Sequence, residues 1–345
     1  MVTVSEFGKL SDGTSVSKYT IKNAAGMELQ VLDLGAILQS AIVPDKDGKM
    51  IDVTLGYDTV EPYAEGMNCF GGTIGRHANR IKNGTFEIGG VTYQLFLNDG
   101  INNLHSMPDG FHIRMFKGEI VGENAVKFTI GSPDGDQGFP GHAVCSVTYT
   151  LTEDNAMELS YDCESDKDTV MNMTNHAYWN LDGYGEGSVE KHLLKLNAVN
   201  YTPLLPNQTP SGEVVPVEGT PFDFREFKEI GKELHTENEQ LTIGSGYDHN
   251  FMIDGEGMRV HAVLKGEKSG ITMTVCSDLP AIQLYTGNCL DTKEPGKGGA
   301  QYVRYSGVAL ETQYVPDALN LPQFESPILK AGEKYLTKTI YKFEA

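Results

Sequence analysis

Short segments rich in Val, Ile, Thr and Tyr alternate with clusters of Gly, Asn and Asp along most of this 345-residue chain. β-Branched and aromatic residues favour strands, whereas Gly, Asn and Asp favour the turns between them. The chain lacks the regular alternation of strands with long helices that βαβ units require. The pattern therefore predicts an all-β fold: a large antiparallel β-sandwich with few short helices, forming a single domain over residues 1–345.

The same signals predict individual elements. Two strand-like runs flank Gly89-Gly90, which indicates a hairpin with a two-residue turn. Short helices are predicted at residues 59–65 and 223–234, where Asp223 would cap apolar positions at three- and four-residue spacing. We expect the Pro-rich connection 201–225 to pack against the sheets. The predicted strands cover residues 15–22, 28–32, 37–44, 85–88, 91–95, 125–130, 143–151, 157–162, 258–265, 271–277, 281–285, 307–313 and 333–342.

Charge limits the partners of the chain. The formal net charge is −20 and the isoelectric point is near 4.8, so phosphate backbones and anionic membrane surfaces are repelled. The sequence has no Lys/Arg cluster that would offset this negative charge. It also has no run of eighteen apolar residues that could span a membrane. The sequence predicts no nucleic-acid partner and no membrane association. A neutral small molecule is a better match for the negative charge of the chain as a binding partner.

The cysteines and the N-terminus indicate the compartment. Five cysteines form an odd set without a C-x-x-C pair, which argues against a disulfide framework and a structural zinc site. We expect them to be reduced and mostly buried. The N-terminal residues have neither a basic region nor an apolar one, so no signal peptide is predicted. A cytoplasmic location is the expectation.

Residues 172–181 concentrate groups that suit a sugar pocket. They include His176, three amides, hydroxyl groups and the chain's single tryptophan, Trp179. Sugars present apolar C–H faces that stack on aromatic rings, and hydroxyls that need fixed donors and acceptors. His176 adds a group that can transfer a proton near neutral pH. His105 lies in a similar setting of amides and a hydroxyl, whereas five other histidines are expected to be polar surface or hydrogen-bonded residues: His77, His142, His192, His235 and His261.

Motifs of other enzyme classes are missing from the sequence. Metal-binding patterns such as H-x-H or H-E-x-x-H do not occur, nor do a nucleophile elbow, a Walker motif, or a G-x-G-x-x-G that follows a strand. We therefore expect no metal and no cofactor.

Glu311 interrupts an otherwise apolar strand, residues 307–313. A buried carboxylate is costly unless it is paired or functional, so Glu311 is either a salt-bridged structural residue or a catalytic one. As general base, with His176 as general acid, it would open and close a hemiacetal. Asp248, in the segment 246–251, is a second acidic candidate.

Nine motifs in order resemble the aldose 1-epimerase (galactose mutarotase) family and span nearly the whole chain. They occur at residues 75–81, 103–105, 174–178, 201–203, 211–213, 219–225, 247–251, 283–288 and 311–313. The resemblance implies a large antiparallel β-sandwich with a sugar cleft, and a cofactor-independent isomerase of galactose and hexose metabolism.

The resemblance also implies roles for single residues. Glu311 would be the base at the anomeric hydroxyl and His176 the acid at the ring oxygen. His105 would hydrogen-bond the substrate and stabilise the charge that develops as the ring opens. The implied sugar-binding residues are Asn79, Arg80, Asp248 and Gln283, with Tyr178 lining the pocket.

Departures from the family pattern leave the sugar open. Ser106-Met107 stands where the family commonly has two glycines, and Trp179 stands where a Phe is common. The substrate could be galactose, glucose or the reducing end of maltose, bound by a monomer or a homodimer. Two other functions stay open: a non-catalytic sugar-binding protein, and a polysaccharide lyase or hydrolase that would, as a hydrolase, use Asp248 and Glu311 as its two carboxylates.

Overall fold

The computed structural model describes residues 1–66 and 68–345 and consists mainly of β-strands. In the described chain, all pairs between strands are antiparallel. The nine-stranded sheet contains, in spatial order, Lys117–Gly122, Ala125–Ser132, Ala143–Leu151, Ala156–Ser165, Lys334–Glu344, Thr272–Ser277, Arg259–Lys265, Leu193–Leu196 and Lys228–Glu229.

Two further sheets make up the opposite layer. The five-stranded sheet follows the chain order Val2–Lys9, Ser15–Lys22, Glu28–Leu32, Leu38–Pro44 and Met50–Asp52. The six-stranded sheet has the order Tyr178–Trp179, Val308–Gln313, Ala281–Tyr285, Asp248–Met252, Asn200–Thr202 and Val215–Pro216. A bridge between Thr54 and Trp179 joins these two sheets edge to edge.

Small elements complete the fold. Two-stranded ladders pair Arg80–Ile81 with Asn103–Leu104, Thr73–Ile74 with Thr174–Asn175, Thr169–Val170 with Ile328–Leu329, and Thr85–Ile88 with Val91–Gln94. The α-helices are Glu61–Glu65 and Glu239–Ile243, and short 3-10 turns lie at Lys82–Gly84, Phe111–Ile113, Asp136–Gly138, Ile230–Lys232 and Lys297–Gly299. Among the described residues, no helical segment has the length and apolar character needed to cross a bilayer.

The core lies between the nine-stranded sheet and the other layer. Tyr19 of the five-stranded sheet meets Phe128 edge to face, with ring centroids 5.2 Å apart. Trp179 of the six-stranded sheet packs on Tyr341 at 5.1 Å. The largest buried cluster draws side chains from all three sheets. The predicted all-β sandwich is confirmed.

Strand alternation assigns each residue of the six-stranded sheet to the core or to the opposite face. Leu310 belongs to the buried core cluster, and the Thr312 hydroxyl contacts that of Thr339 on the nine-stranded sheet at 2.5 Å. Glu311, between them, therefore points away from the core. The same rule turns Trp179 into the core and its neighbour Tyr178 outwards, so the expectation that the single tryptophan faces a sugar pocket is wrong.

The predicted helix at 223–234 is also wrong. This segment forms the edge strand Lys228–Glu229, which pairs with Leu193–Leu196, followed by the turn Ile230–Lys232. Asp223 does not cap a helix; its carboxylate accepts from the guanidinium of Arg225 instead. Pairing of Lys228–Glu229 with the strand Leu193–Leu196 at the sheet edge has overridden a weak helical period. The helix predicted near residues 59–65 is present, as is the hairpin around Gly89-Gly90.

Other sequence predictions agree with the structure. The connection 201–225 is packed, with the rings of Tyr201 and Phe222 stacked at 4.4 Å. Cys69, Cys145 and Cys163 are buried, Cys276 and Cys289 are partly or fully exposed, and no disulfide links cysteines in the described part of the chain. Of the histidines expected to be polar surface or hydrogen-bonded residues, His192 and His261 are buried and hydrogen-bonded through Nε2, whereas His77 is buried and neither of its ring nitrogens has a hydrogen-bond partner among the described residues.

Candidate active site

A cleft of about 380 Å³ opens on the face of the six-stranded sheet that is turned away from the core. Its walls include Tyr178, Tyr285 and Glu311 from that sheet, and loops close it on the sides. Seven of the eight predicted site residues line it: Asn79, Arg80, His105, His176, Tyr178, Asp248 and Glu311. Residues far apart in sequence, such as Asn79 and Glu311, thus converge on one site.

Glu311 and His176 meet at the floor of the cleft. His176 Nε2 lies 3.6 Å from Glu311 Oε1, and both side chains are almost completely buried. The other carboxylate oxygen of Glu311 and Nδ1 of His176 have no hydrogen-bond partner among the described residues. The His176 ring lies 5.0 Å from that of Tyr178. A buried carboxyl and imidazole side by side can exchange protons with a ligand that displaces water.

Burial shifts the two groups in opposite directions because it disfavours the charged form of each. Desolvation raises the pKa of Glu311 well above its ordinary value, with a further increase from the charge of Asp248 and a decrease from Arg80. Desolvation lowers the pKa of His176 to about 4. Glu311 is therefore a stronger base than an exposed carboxylate, and protonated His176 a stronger acid than an exposed imidazolium.

His105 is oriented by a backbone contact. Its Nδ1 accepts from the amide N–H of Asn79 at 3.1 Å, and its ring lies 5.2 Å from that of His176. Desolvation, followed by the charges of His176 and His112, keeps the pKa of His105 well below its ordinary value. A neutral imidazole that accepts at Nδ1 carries its proton on Nε2, which makes that nitrogen a donor.

The same tautomer bears on metal binding. His105, His176 and Glu311 each offer one ligand atom within 4.8 Å of the others, which is compact enough to suggest a metal site. However, a ring nitrogen must be deprotonated to bind a metal, and Nε2 of His105 holds the proton while Asn79 occupies Nδ1. The donor set therefore fits a hydrogen-bonding role for His105 better than a ligand role.

Arg80 is held by three side chains. Its Nε donates to Asp99 at 2.7 Å, Nη1 to Asp248 at 3.3 Å and Nη2 to Gln208 at 2.5 Å. Gln283 does not line the cleft; its amide donates to the free oxygen of Asp248 at 2.6 Å and lies behind it. Asp248 is thus fixed from two sides as an acceptor.

Comparison with known proteins identifies the family. A family model described as aldose 1-epimerase matches residues 17–342. The chain belongs to the aldose 1-epimerase family. It is 38% identical over 340 residues to the aldose 1-epimerase of Escherichia coli strain K12, with 97% of each chain covered. It is 37% identical to human galactose mutarotase, with 99% of this chain and 98% of the human protein covered.

Solved structures of this family have the same fold. A galactose 1-epimerase from Lactobacillus acidophilus matches with a TM-score of 0.87 and 30% identity, covering 100% of this chain and 98% of that one. An aldose epimerase homologue from C. elegans also gives 0.87, at 32% identity, covering 94% and 98%.

Sequence patterns did not reveal all of the residues that line this aldose 1-epimerase cleft. Asp99 lies in an Asn-Asp-Gly turn and Gln208 in the Pro-rich connection, so both resemble ordinary loop residues. Tyr285 and Cys289 also line the cleft, and the Tyr285 hydroxyl accepts from the backbone N–H of Cys289 at 3.1 Å. Only the strand predicted at residues 281–285 could have indicated one of these residues. Tyr285 is two positions from the predicted site residue Gln283, so both side chains lie on the same face of that strand.

The loop beside His105 has an unusual backbone. His105 and Ser106 have φ values of 56° and 55°, in the left-handed region that glycine adopts without strain. The Ser106 hydroxyl accepts from His77 N–H at 2.9 Å and donates to His77 C=O at 3.1 Å. These two hydrogen bonds hold the turn in place despite its left-handed backbone.

Proposed function

We propose that this protein interconverts the α and β anomers of a free aldose by acid–base opening and closing of the sugar ring. The observation that carries the proposal is the contact of 3.6 Å between His176 Nε2 and Glu311 Oε1 at the floor of the cleft. The anomeric and ring oxygens of an aldose are bonded to the same carbon, so the acid and base that serve them must lie next to each other. Membership of the aldose 1-epimerase family supports the same conclusion.

The reaction balances with these two residues alone. Glu311 removes the proton of the anomeric hydroxyl while protonated His176 donates its proton to the ring oxygen, and the bond between C1 and the ring oxygen breaks. Rotation about C1–C2 exposes the other face of the aldehyde. The ring hydroxyl then closes on C1, with both protons returned. Neither residue is consumed.

The remaining cleft residues bind the sugar and stabilise the charge that develops on it. The Nε2–H of His105 donates a hydrogen bond to the substrate oxygen on which negative charge develops as the ring opens. Burial makes such a donor more effective. Arg80 and Asp248 offer a cation and an anion to the sugar hydroxyls, and the Tyr178 ring supplies an apolar wall.

Polarimetry of freshly dissolved α-D-galactose and α-D-glucose tests the proposal. The Glu311→Gln variant keeps the shape of the side chain but not its basicity, so we expect kcat to fall by about 10²–10⁴-fold. Glu267→Gln, which neutralises an exposed carboxylate, is the matched control and should retain the full rate. A wild-type rate no faster than buffer, or an undiminished rate in Glu311→Gln, would contradict the proposal.

Polysaccharide hydrolysis is less well supported. In a hydrolase Glu311 would donate the proton and Asp248 would act as nucleophile or base, yet both oxygens of Asp248 already accept hydrogen bonds, from Arg80 and Gln283, which weakens it in that role. A non-catalytic sugar-binding protein would bind the sugar without changing its rate of mutarotation. Rates measured for galactose, glucose, xylose and maltose would identify the preferred sugar, and release of reducing ends from an oligosaccharide would reveal a hydrolase.

A further inference from the structure

Gln208 reaches the cleft from a turn in the connection between two strands of the six-stranded sheet. The turn closes with Gln208 N–H donating to Leu205 C=O at 2.8 Å and with a bridge between Leu204 and Pro210. Gln208 has a φ of 63°, so its backbone lies in the left-handed region. This conformation aims a half-buried amide at the guanidinium of Arg80.

Gln208 completes the set of acceptors around Arg80. It is the only described residue that accepts from Nη2 of Arg80, while Asp99 and Asp248 hold Nε and Nη1. A guanidinium has five N–H groups in a rigid plane. Three fixed contacts leave one N–H on each terminal nitrogen for a ligand, and they determine the orientation of the whole plane.

The amide of Gln208 is itself fixed at its other end. Its Nε2 donates to the carbonyl of Ile243, the last residue of the helix Glu239–Ile243, at 3.1 Å. This contact defines which end of the amide is oxygen and points that oxygen at Arg80. On the same helix, Gln240 pairs with both the N–H and the C=O of Leu204, at 2.6 and 3.1 Å.

The opposite side of the turn is anchored as well. Asn102, which follows the Asp99 turn, donates to the backbone carbonyl of Asn207 at 2.8 Å. The turn that carries Gln208 is therefore held between the loop of Asp99 and the helix Glu239–Ile243. Its position does not depend on the contact between Gln208 and Arg80.

We infer that Gln208 is a positioning residue for sugar binding, which orients Arg80 so that its two unused N–H groups face the bound aldose. The inference rests on the proposed function, because it assigns Arg80 to the aldose site. Hydroxyls remote from C1 change little between the cyclic and open forms, so Arg80 binds the substrate and the transition state about equally. Loss of Gln208 should therefore raise KM and leave kcat nearly unchanged.

Binding of D-galactose and D-glucose to the Glu311→Gln protein, measured by isothermal titration calorimetry, tests this role without turnover. Gln208→Asn is the informative change because Asn tolerates the left-handed backbone and keeps the amide, but is one methylene too short to reach both Arg80 and Ile243. We expect Kd to rise about tenfold, the effect of losing one charge-assisted hydrogen bond. Gln208→Glu restores an acceptor for Nη2 and should recover most of the affinity.

Gln240→Asn provides the matched control. It shortens the glutamine that anchors the same turn from the other side and leaves Arg80 untouched, so Kd should change by less than about twofold. An unchanged Kd in Gln208→Asn, or an equal loss in Gln240→Asn, would overturn the positioning role. In the protein with Glu311 intact, a fall of kcat with unchanged KM would overturn it as well.

These outcomes separate the inference from the proposed function. If the wild-type protein fails to accelerate mutarotation but Gln208→Asn still weakens aldose binding, the proposed catalysis fails and the positioning role stands. If neither sugar binds to the wild-type or Glu311→Gln protein, both are overturned.

Discussion

Glu311 and His176 illustrate how burial prepares two residues for opposite tasks. Each is placed by its backbone in a cleft floor from which water is largely excluded, and each prefers its neutral form there. A neutral carboxyl beside a neutral imidazole and a carboxylate beside an imidazolium differ only in the position of one proton. The pair titrates as a unit, and its reactive form is one proton transfer away.

Asp248→Asn should shift the alkaline limb of the pH profile. The Glu311/His176 pair is active while it holds one proton, so kcat/KM falls as the pH rises through the pKa of Glu311 and that proton is lost. After desolvation, the charge of Asp248 is the next cause that raises the pKa of Glu311, and removing that charge lowers this pKa. We expect the alkaline limb of kcat/KM, measured by polarimetry, to move to lower pH.

Asp99→Asn is the control for this experiment. Asp99 also binds Arg80, but it is not among the groups that shift the pKa of Glu311. This variant should raise KM and leave the alkaline limb where it is. If both variants moved the limb equally, Asp248 would have no special influence on Glu311.

At the scale of elements, the turn at His105-Ser106 should depend on a single hydroxyl. Ser106→Ala removes both hydrogen bonds to His77 and retains the left-handed strain, so we expect a loss of about 1–3 kcal/mol. Ser106→Gly loses the same hydrogen bonds but relieves the strain, and should be less destabilised than the alanine variant. Urea unfolding of the three proteins measures the order, and an alanine variant as stable as the glycine variant would contradict this explanation.

Elements also show where sequence reasoning succeeds. Strand-like runs predicted most of the long strands, including the one that carries Glu311, because composition and burial are local properties, whereas the strands Val2–Lys9, Lys117–Gly122 and Asp248–Met252 were not predicted. Sequence reasoning failed at 223–234, where pairing with a distant sheet edge decided the conformation. Two-residue ladders such as Arg80–Ile81 with Asn103–Leu104 carry too few residues to show a period.

The site was predictable only in part for the same reason. His105, His176 and Glu311 stood out because polar groups interrupt apolar surroundings. Asp99 and Gln208 did not, since their importance arises from the position of Arg80 in space. The resemblance to a family supplied residue roles that periodicity alone leaves undefined.

For the whole molecule, buried histidines should make stability sensitive to acid. Desolvation lowers the pKa of five histidines to about 4 and that of a sixth to about 3: His77, His112, His176, His192, His249 and His261. The unfolded chain binds protons near pH 6.5, whereas the folded chain does not until the pH falls further. A depressed histidine pKa thus leaves the free energy of unfolding unaffected above pH 6.5 and lowers it as the pH falls below 6.5.

We expect the free energy of unfolding to fall by at least about 3 kcal/mol between pH 7.5 and pH 5, since each such histidine contributes up to about 1.4 kcal/mol per pH unit. Guanidinium titrations at the two pH values measure this. An unfolding free energy that is constant over this range would show that the histidines become protonated in the folded protein.

The single-domain organisation stays a prediction, and Trp179 offers a way to test it. This single tryptophan is fully buried against Tyr341 and Phe343, between the two layers. Its fluorescence and the far-ultraviolet circular dichroism should report one coincident unfolding transition if the chain is one cooperative unit. Separate midpoints would indicate two units.

Saturating galactose should change the emission little, because Trp179 faces away from the cleft.

The alternation that separates Tyr178 from Trp179 also limits how such a chain can change over evolutionary time. Along Val308–Gln313, the catalytic candidate Glu311 stands between Leu310 and Thr312, which face the other layer. Deleting one residue from this strand would exchange the two faces, drive a carboxylate into the interior and expose apolar side chains to the sugar. Insertions and deletions that such a lineage tolerates should therefore be confined to its turns, while its strands diverge by substitution alone.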